Sequence, residues 1–517
     1  MTSGLSRNRA LRRWLSSALA TAKPVNARTK LIVAVSLFVV SFATKSLQAA
    51  DLEAVMYTTE QPFGGLTALY DERAVSILNG DGLLGPHDIK PSITIGLAQA
   101  PGYSIYLSGV YSLAGRDFFR VQLVQNALNS ISAVLIFLIV GVILSWRVGA
   151  VAGLLAALSH HLSHISNFIL PDSLCALPLL GAVLLLAVCW RNRLRSYWLY
   201  IADGALLGLT VWLRPQSMLL GPFLVATLTI ISARRWAAAK RLAVMGVVSL
   251  LVIAPITIRN WLVYGAFVPV NIGVGLNLWE GIAEASGNGF GAVAKDDAVA
   301  EQEAIIYDNP RYAGSSYSPD GIARDRDRTR KSLAIISEHP FWYAGVMLDR
   351  MRDMLKYSAY APLVLKSQAK SEGPAFPLNP NWEQAVTKPT ALSFADRLNW
   401  LRIPVRALQR VTKETMLAFV LIGAFVMFFA SWRRAFFILM VPVYYLLFQS
   451  LMHVEFRYTL PMHYFLFVFA AVVWVLIWSA IATGGSRLLR AASRKGSRRT
   501  ATSHRTEESA QVQKVIW

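Results

Sequence analysis

The sequence predicts an all-α polytopic membrane protein, with about ten transmembrane helices and two large outward loops carrying interfacial helices. Three observations predict it. Apolar residues make up 55 % of the 517 and charged residues only 16 %, at a mean hydropathy of +0.43, which is too little charge to cover a soluble surface. Apolar runs recur that are long enough to cross a hydrocarbon core about 30 Å thick. The excess of positive charge, +21 overall, falls on alternate connections between those runs. The same numbers exclude a soluble enzyme, a disordered scaffold and a disulfide-stapled secreted module.

The runs are 31–49, 120–146, 149–167, 172–190, 197–212, 216–233, 241–258, 414–432, 435–452 and 461–483. The tail 1–30 holds seven Lys/Arg and no acidic residue. Arg147 follows the second run, and Arg191, Arg193 and Arg195 follow the fourth. Arg234, Arg235, Lys240 and Arg241 follow the sixth, and Arg433 and Arg434 the eighth. The tail 484–517 adds eight basic residues against Glu507 and Glu508. These segments carry 25 basic and 2 acidic residues, and the remainder of the chain 26 and 28. Alternating spans put all six basic segments on one side, which the positive-inside rule makes the cytoplasm.

Both termini are therefore expected in the cytoplasm, with the protein in the cytoplasmic (inner) membrane. The charge sets topology and attracts anionic inner-leaflet lipid, and no basic patch is left over for a nucleic acid. Leu47-Gln48-Ala49-Ala50 is a poor cleavage site, so the first span is expected to stay as an anchor. Cys175 and Cys189 lie about 21 Å apart along one expected helix and cannot bridge within it.

This gives a basic tail 1–30 and a transmembrane core 31–258 with a first outer loop 50–119. A large outer (periplasmic) loop 259–413, C-terminal helices 414–483 and a basic tail 484–517 follow. Stretches 103–115 and 341–357 read as helices lying at the membrane surface. Long loops on a rigid scaffold are where binding and catalysis concentrate, and the polar residues gather there. Asp71 and Glu72 lie in the first loop, Asp172 opens the fourth span, and Arg214 caps the turn after the fifth. Arg259 ends the seventh span, and Glu455-Phe456-Arg457-Tyr458 precedes the tenth.

Ionisable groups at membrane depth cost a few kcal/mol each, so three arginines and several carboxylates at one rim suggest a site for an anion. Each residue also has a plainer role open to it. The arginines suit interfacial anchors, Asp172 an N-cap, and Asp71 and Glu72 a solvated loop face. His160 and His164 share a helix face at the spacing a metal needs, with His161 between them and Asp172 nearby. Nothing else in the chain completes a ligand set, so no metal site is assigned and a divalent metal cofactor is left open. No Walker loop, dinucleotide fingerprint or lipase elbow occurs.

Taken in order, these motifs resemble the bacterial glycosyltransferase-C superfamily of membrane transferases that use polyprenyl-phosphate sugars, such as protein O-mannosyltransferases and the aminoarabinose transferase of lipid A. The resemblance runs from about 31 to 480. Tyr70-Asp71-Glu72-Arg73-Ala74 and Ile77-Leu78-Asn79-Gly80-Asp81-Gly82, then Pro101-Gly102-Tyr103, are similar to the acidic first-loop motif. Pro171-Asp172-Ser173-Leu174 is similar to the acidic second outer loop, and Leu213-Arg214-Pro215 to the Arg-Pro turn. Ile258-Arg259-Asn260-Trp261 with Gly265 and Gly275-Leu276-Asn277-Leu278-Trp279 resembles the segment after the seventh span. Glu455-Phe456-Arg457-Tyr458 with Pro461 resembles the late Arg-Tyr motif. One position departs: where many relatives carry an aspartate four residues before the tyrosine, this chain has Leu66. Either Asp71 or Glu72 takes that role, or the correspondence is shifted.

The resemblance implies a helical core with its reaction centre at the outer leaflet and a sugar donor on a polyprenyl phosphate. It implies Asp71 as the base, with Glu72 or Asp172 in support. Arg214, Arg259 and Arg457 would bind the phosphate, and Tyr103 would join the substrate site. The partners expected are that donor, membrane lipid and an envelope acceptor (lipid, glycan or protein), with no nucleic acid. Two other readings stay open: a lipid-linked polysaccharide polymerase or ligase, and a transporter or flippase without chemistry. A transporter would place its polar groups near the bilayer midplane, whereas here they crowd one rim.

Overall fold

In lipid a backbone must satisfy its own polar groups, and a helix does so within one segment. The computed structural model follows that rule: among the residues it describes (25–56, 66–83, 93–192, 196–232, 235–286, 289–355 and 399–482) every regular element is helical. Arg193, Arg195, Arg234 and most of the two basic tails lie outside the described residues.

The protein is a polytopic membrane protein. Six described segments are long and apolar enough to span: Ala27–Ala49, Phe118–Ile143, Pro171–Asn192, Arg235–Tyr264, Ile403–Gln449 and Phe456–Ala482. The expected spans 149–167, 197–212 and 216–233 correspond to the shorter apolar helices Trp146–Leu158, Tyr197–Leu213 and Pro215–Ile231. Seventeen residues rise about 26 Å, somewhat less than a full hydrocarbon core.

Helix α1 (Ala27–Met56) carries the first span, and α2 (Leu66–Leu78) and α3 (Gly102–Ala114) lie in the expected first loop. Asp71 and Glu72 therefore sit on a helix, not on an irregular loop. Asp117 caps α4 (Phe118–Ile143) by accepting from Arg120 N at 2.9 Å, and Ser145 caps α5 (Trp146–Leu158) by accepting from Val148 N at 3.3 Å. Only Leu144 and Ser145 separate α4 from α5, which makes a tight hairpin and places Arg147 at a turn as its charge foretold.

The third expected span differs. Its helix stops at Leu158, because Ser159 turns extended (φ −61°, ψ 120°) and caps a new short helix, α6 (His160–Ile165), through Leu162 N. The histidines thus start their own element. Asp172 differs too: it lies in the first turn of α7 (Pro171–Leu174), whose N-cap position is Leu170, so its carboxylate is not a capping group. Helices α8 (Ala176–Asn192), α9 (Tyr197–Leu213), α10 (Leu220–Ile231) and α11 (Arg235–Tyr264) follow.

The eighth and ninth expected spans form α16 (Asn399–Gln449), which breaks at Ser431 (φ −164°, ψ 92°) just before Arg433 and Arg434. Its contacts show that it doubles back. Gln409 donates to Leu158 O, Phe437 stacks on Trp190 at the opposite end, and Tyr444 returns to donate to Gln216 O. The last helix, α17 (Phe456–Ala482), packs so closely on it that a Cβ at Gly423 would stand 2.0 Å from Phe469 O. Only glycine allows that backbone approach.

Between α11 and α16 the large loop folds as α12 (Val274–Ser286), α13 (Asp296–Ile306), α14 (Gly321–Glu338) and α15 (Pro340–Leu355). Leu276, Trp279, Ile282, Ala292, Val299 and Tyr343 form its core. Buried Glu303 takes Arg324 Nε at 2.6 Å and faces Arg328 Nε at 3.3 Å, which offsets the cost of burying three charges. The loop is bolted to the bundle by backbone acceptors: Arg350 Nη1 donates to Ser450 O at 3.0 Å and His453 N to Asn277 O at 2.8 Å.

Candidate active site

The site begins inside the bundle, on α4. Gln122, Gln125, Asn126 and Asn129 are all buried, and in an apolar bundle each amide needs a partner. They find it in the 166–173 turn. Gln122 Nε2 donates to Asn167 O (2.7 Å), Gln125 Nε2 to Ser166 O and Phe168 O (2.7 and 2.8 Å), Asn126 Nδ2 to Asn167 Oδ1 (2.7 Å) and Asn129 Nδ2 to Ser173 Oγ (2.9 Å). This ladder fixes the turn that carries Asp172.

The Asp172 carboxyl is fully buried, and its Oδ1 pairs with Arg214 Nη2 at the end of α9. Arg214 in turn lies over the Tyr458 ring, 4.9 Å from its centroid, and Arg457 lies over the same ring at 5.3 Å. Arg457 pairs with Glu455, donating from Nη2 to Oε1 at 2.8 Å. Gln216 Nε2 holds the Tyr458 carbonyl at 2.9 Å. Asp172 Oδ2 and Arg214 Nε are buried with no hydrogen-bond partner among the described residues. A charged pair that keeps one acceptor and one donor unspent has hydrogen bonds left for a ligand.

Of the residues singled out from the sequence, Asp172, Arg214 and Arg457 come together here. Arg259 stands on α11, where its Nη1 donates to the Asn260 side chain at 3.0 Å. Asp71 is buried and Glu72 is exposed, since neighbours on a helix point about 100° apart. Asp71 accepts from Tyr111 Oη at 2.7 Å and from Arg116 Nε at 3.1 Å, with Arg116 Nη2 on its other oxygen. Tyr103 is buried, and its hydroxyl donates to Gln125 Oε1 at 2.7 Å while its ring meets Tyr70 edge-on at 5.2 Å. It ties α2 and α3 to the ladder.

The helix α2 presents Tyr70 to the site instead. Burial pushes its phenol up, and the charges of Arg214, Arg73 and Arg457 oppose that rise. Arg73 itself is buried and donates to Gln99 O (3.3 Å) and Gly96 O (3.2 Å), anchoring α2. Sequence reasoning quoted Tyr70, Arg73, Glu455 and Tyr458 inside motifs without assigning them roles, and missed Arg116 and His453. Charge alone gave no sign of either.

Above Arg457, a second chain of charges leads into the large loop. His453 Nδ1 lies 2.8 Å from Glu284 Oε1 and its Nε2 lies 3.7 Å from Glu455 Oε1. Burial opposes its protonation, but Glu284 and Glu455 outweigh burial and raise His453 to about 10. Burial likewise opposes ionisation of Glu455, yet His453 and Arg457 hold it down at about 2. Beside them, burial and hydrogen-bonded Asp296 push Glu280 up to about 8.

The histidines do not gather around Asp172. His161 packs against His463 (centroids 4.8 Å) and Phe456 (5.1 Å), and His160 stacks on His164 at 5.8 Å. Among the described residues no three His, Cys, Asp or Glu side chains are placed to hold a metal ion.

Residues 98–258 match the family described as dolichyl-phosphate-mannose-protein mannosyltransferase. That segment includes Pro101-Gly102-Tyr103, Pro171-Asp172 and Leu213-Arg214-Pro215. No curated protein matches by sequence. Two solved structures of the Archaeoglobus fulgidus oligosaccharyltransferase align over 88 % of this chain. One, tethered to an acceptor peptide, gives 13 % identity, a TM-score of 0.47 and 50 % coverage of that protein. The other, with an inhibitory peptide and a dolichol-phosphate, gives 12 %, 0.49 and 51 %. ArnT from Cupriavidus metallidurans in the apo state aligns at 13 % identity and a TM-score of 0.32, over 85 % of this chain and 76 % of that one. The present chain spans about half the length of the archaeal oligosaccharyltransferase.

Proposed function

We propose that this chain is an integral membrane glycosyltransferase that moves a sugar from a polyprenyl-phosphate-linked donor to an envelope acceptor at the outer face of the cytoplasmic membrane. The observation that carries the reading is the joining of Asp172, Arg214, Arg457 and Tyr458 at one end of an apolar bundle. Such a place offers charge to a phosphate and hydrocarbon to its lipid tail. The family match over residues 98–258, which spans Asp172 and Arg214, supports it.

In this reading the acceptor hydroxyl oxygen attacks the anomeric carbon and the bond from that carbon to the phosphate oxygen breaks. The acceptor proton passes to the unspent Asp172 Oδ2, and the lipid phosphate leaves with the bonding pair. Arg214 and Arg457 receive the charge that develops on it, and guanidinium forks are well suited to phosphate oxygens. We assign Asp172 the base role because its carboxylate meets the arginine cluster, whereas Asp71 is engaged by Arg116 and Tyr111. Asp71 then positions α2 against α3.

The test is mass spectrometry of envelope lipids, glycans and proteins from cells with and without the gene, followed by complementation with Asp172→Asn. Loss of one sugar modification that the parent restores and the variant does not is expected. An unchanged sugar complement, with an altered distribution of lipid-linked sugar across the membrane, would replace the transferase with a flippase.

A further inference from the structure

We infer that His453 is a positioning residue: bridging Glu284 of the large loop and Glu455 of the bundle, it sets the Arg457 side chain that receives the donor phosphate. This rests on the phosphate role proposed for Arg457 above.

The argument is geometric. Arg457 is directed by Glu455, to which it donates from Nη2 at 2.8 Å. A carboxylate with two oxygens and a rotatable bond does not fix an arginine unless it is fixed itself. Glu455 Oε1 also accepts from Tyr458 Oη at 3.3 Å and faces His453 Nε2 at 3.7 Å. His453 is the best held of these groups. Its backbone N–H donates to Asn277 O at 2.8 Å, its carbonyl accepts from Gln449 Nε2 at 3.3 Å, and its Nδ1 sits 2.8 Å from Glu284.

The surrounding backbone leaves little slack. A Cβ at Gly281 would stand 2.9 Å from His453 N and 3.1 Å from Met452 C, so α12 presses directly on this turn. The imidazole therefore has one carboxylate facing each ring nitrogen, at 2.8 Å and 3.7 Å, and two nearby negative charges favour the protonated ring. That state agrees with the elevated His453 and the depressed Glu455 described above. A neutral ring would lose the charge attraction that holds the two carboxylates to it. The large loop thus reaches the phosphate arginine through one side chain.

Binding of the leaving group itself tests this without knowledge of the sugar or the acceptor. Polyprenyl monophosphate is titrated into the full-length protein in detergent micelles, with the uncharged polyprenol as control, for the parent, His453→Gln, Glu284→Gln and Arg457→Lys. Glu284 is half-exposed, so Glu284→Gln serves where His453→Gln proves unstable in a melting measurement. The expected result is a phosphate-lipid Kd raised roughly ten-fold by His453→Gln and Glu284→Gln, with polyprenol binding unchanged. Parental phosphate-lipid affinity in both, alongside a loss in Arg457→Lys, overturns the role of His453 and leaves the phosphate reading standing. Parental affinity in Arg457→Lys overturns the phosphate reading, and the positioning role falls with it.

Discussion

Asp172 and Arg214 stand 42 residues apart in sequence and meet as an ion pair whose carboxylate is wholly shielded from solvent. The partners come from different helices, so the pair reports the packing of α7 against α9 as well as the chemistry of the site. It also separates two kinds of variant. Asp172→Asn keeps the volume and removes the charge, and should reduce sugar transfer by about 10²–10⁴-fold if Asp172 is the base. Asp172→Ala leaves a buried guanidinium unpaired and should in addition destabilise the protein by roughly 3–5 kcal/mol. Turnover and melting temperature measured on both variants check the two effects. A stable Asp172→Asn with parental turnover removes the residue from the chemistry.

Asp71→Asn should be milder than Asp172→Asn. It loosens Arg116 and Tyr111 and so the α2–α3 contact, and a drop of about ten-fold in turnover is expected, of the size that one charged hydrogen bond carries. Side-by-side rates decide. Should Asp71→Asn fall as far as Asp172→Asn, the base belongs on α2.

Lysine replacements sort the arginines. Lysine keeps the charge but loses the planar fork, so Arg214→Lys and Arg457→Lys should weaken dependence on donor concentration, with expression unchanged. If Arg259 only anchors at the interface, Arg259→Lys should behave like the parent, because such an anchor tolerates lysine. The measurement is initial rate against donor concentration in liposomes. A deficit confined to Arg259→Lys would shift the phosphate contact to α11.

The charge chain at His453 also predicts a pH dependence of stability. His453 is raised from 6.5 to about 10, so its contribution is fully present below pH 6.5 and lost as pH rises through 10. Glu280, raised from 4.5 to about 8, contributes fully below pH 4.5 and loses that contribution as pH rises through 8. Glu455, lowered from 4.5 to about 2, contributes fully above pH 4.5 and loses its share as pH falls through 2. Melting temperature should therefore decline from about pH 4.5 to 10, first through Glu280 and then through His453, and His453→Gln should flatten the upper part of that decline. An equally steep decline in the variant would assign it to other groups.

Much of this architecture was legible because apolar runs and basic turns obey simple rules. The turn at Arg433 and Arg434 was placed by charge, and Ser431 breaks the helix beside it. Asp172, Arg214 and Arg457 were picked out as ionisable groups at span ends, and the fold unites them. What escaped was direction. Asp71 and Glu72 are equivalent in sequence until the face of α2 is known. Arg116 lies 45 residues from Asp71, and His453 meets Glu284 only because two distant segments fold together. The expected span 149–167 ran past Ser159, whose extended backbone ends one helix and caps the next.

The amide ladder on α4 has a mechanical consequence. Gln122 to Asn129 spans two turns of a membrane helix, about 10 Å of rise, with each amide matched to a specific oxygen in the 166–173 turn. Sliding α4 by one turn would strand these groups in hydrocarbon. The depth of Asp172 is therefore gauged against α4, independently of the lipid around it. In a bilayer thinner or thicker than its own, the protein must take up the mismatch elsewhere, by tilt of the lipid-facing α11 or by deformation of the lipid. The reactive groups keep their spacing, and the lipid surface moves relative to them.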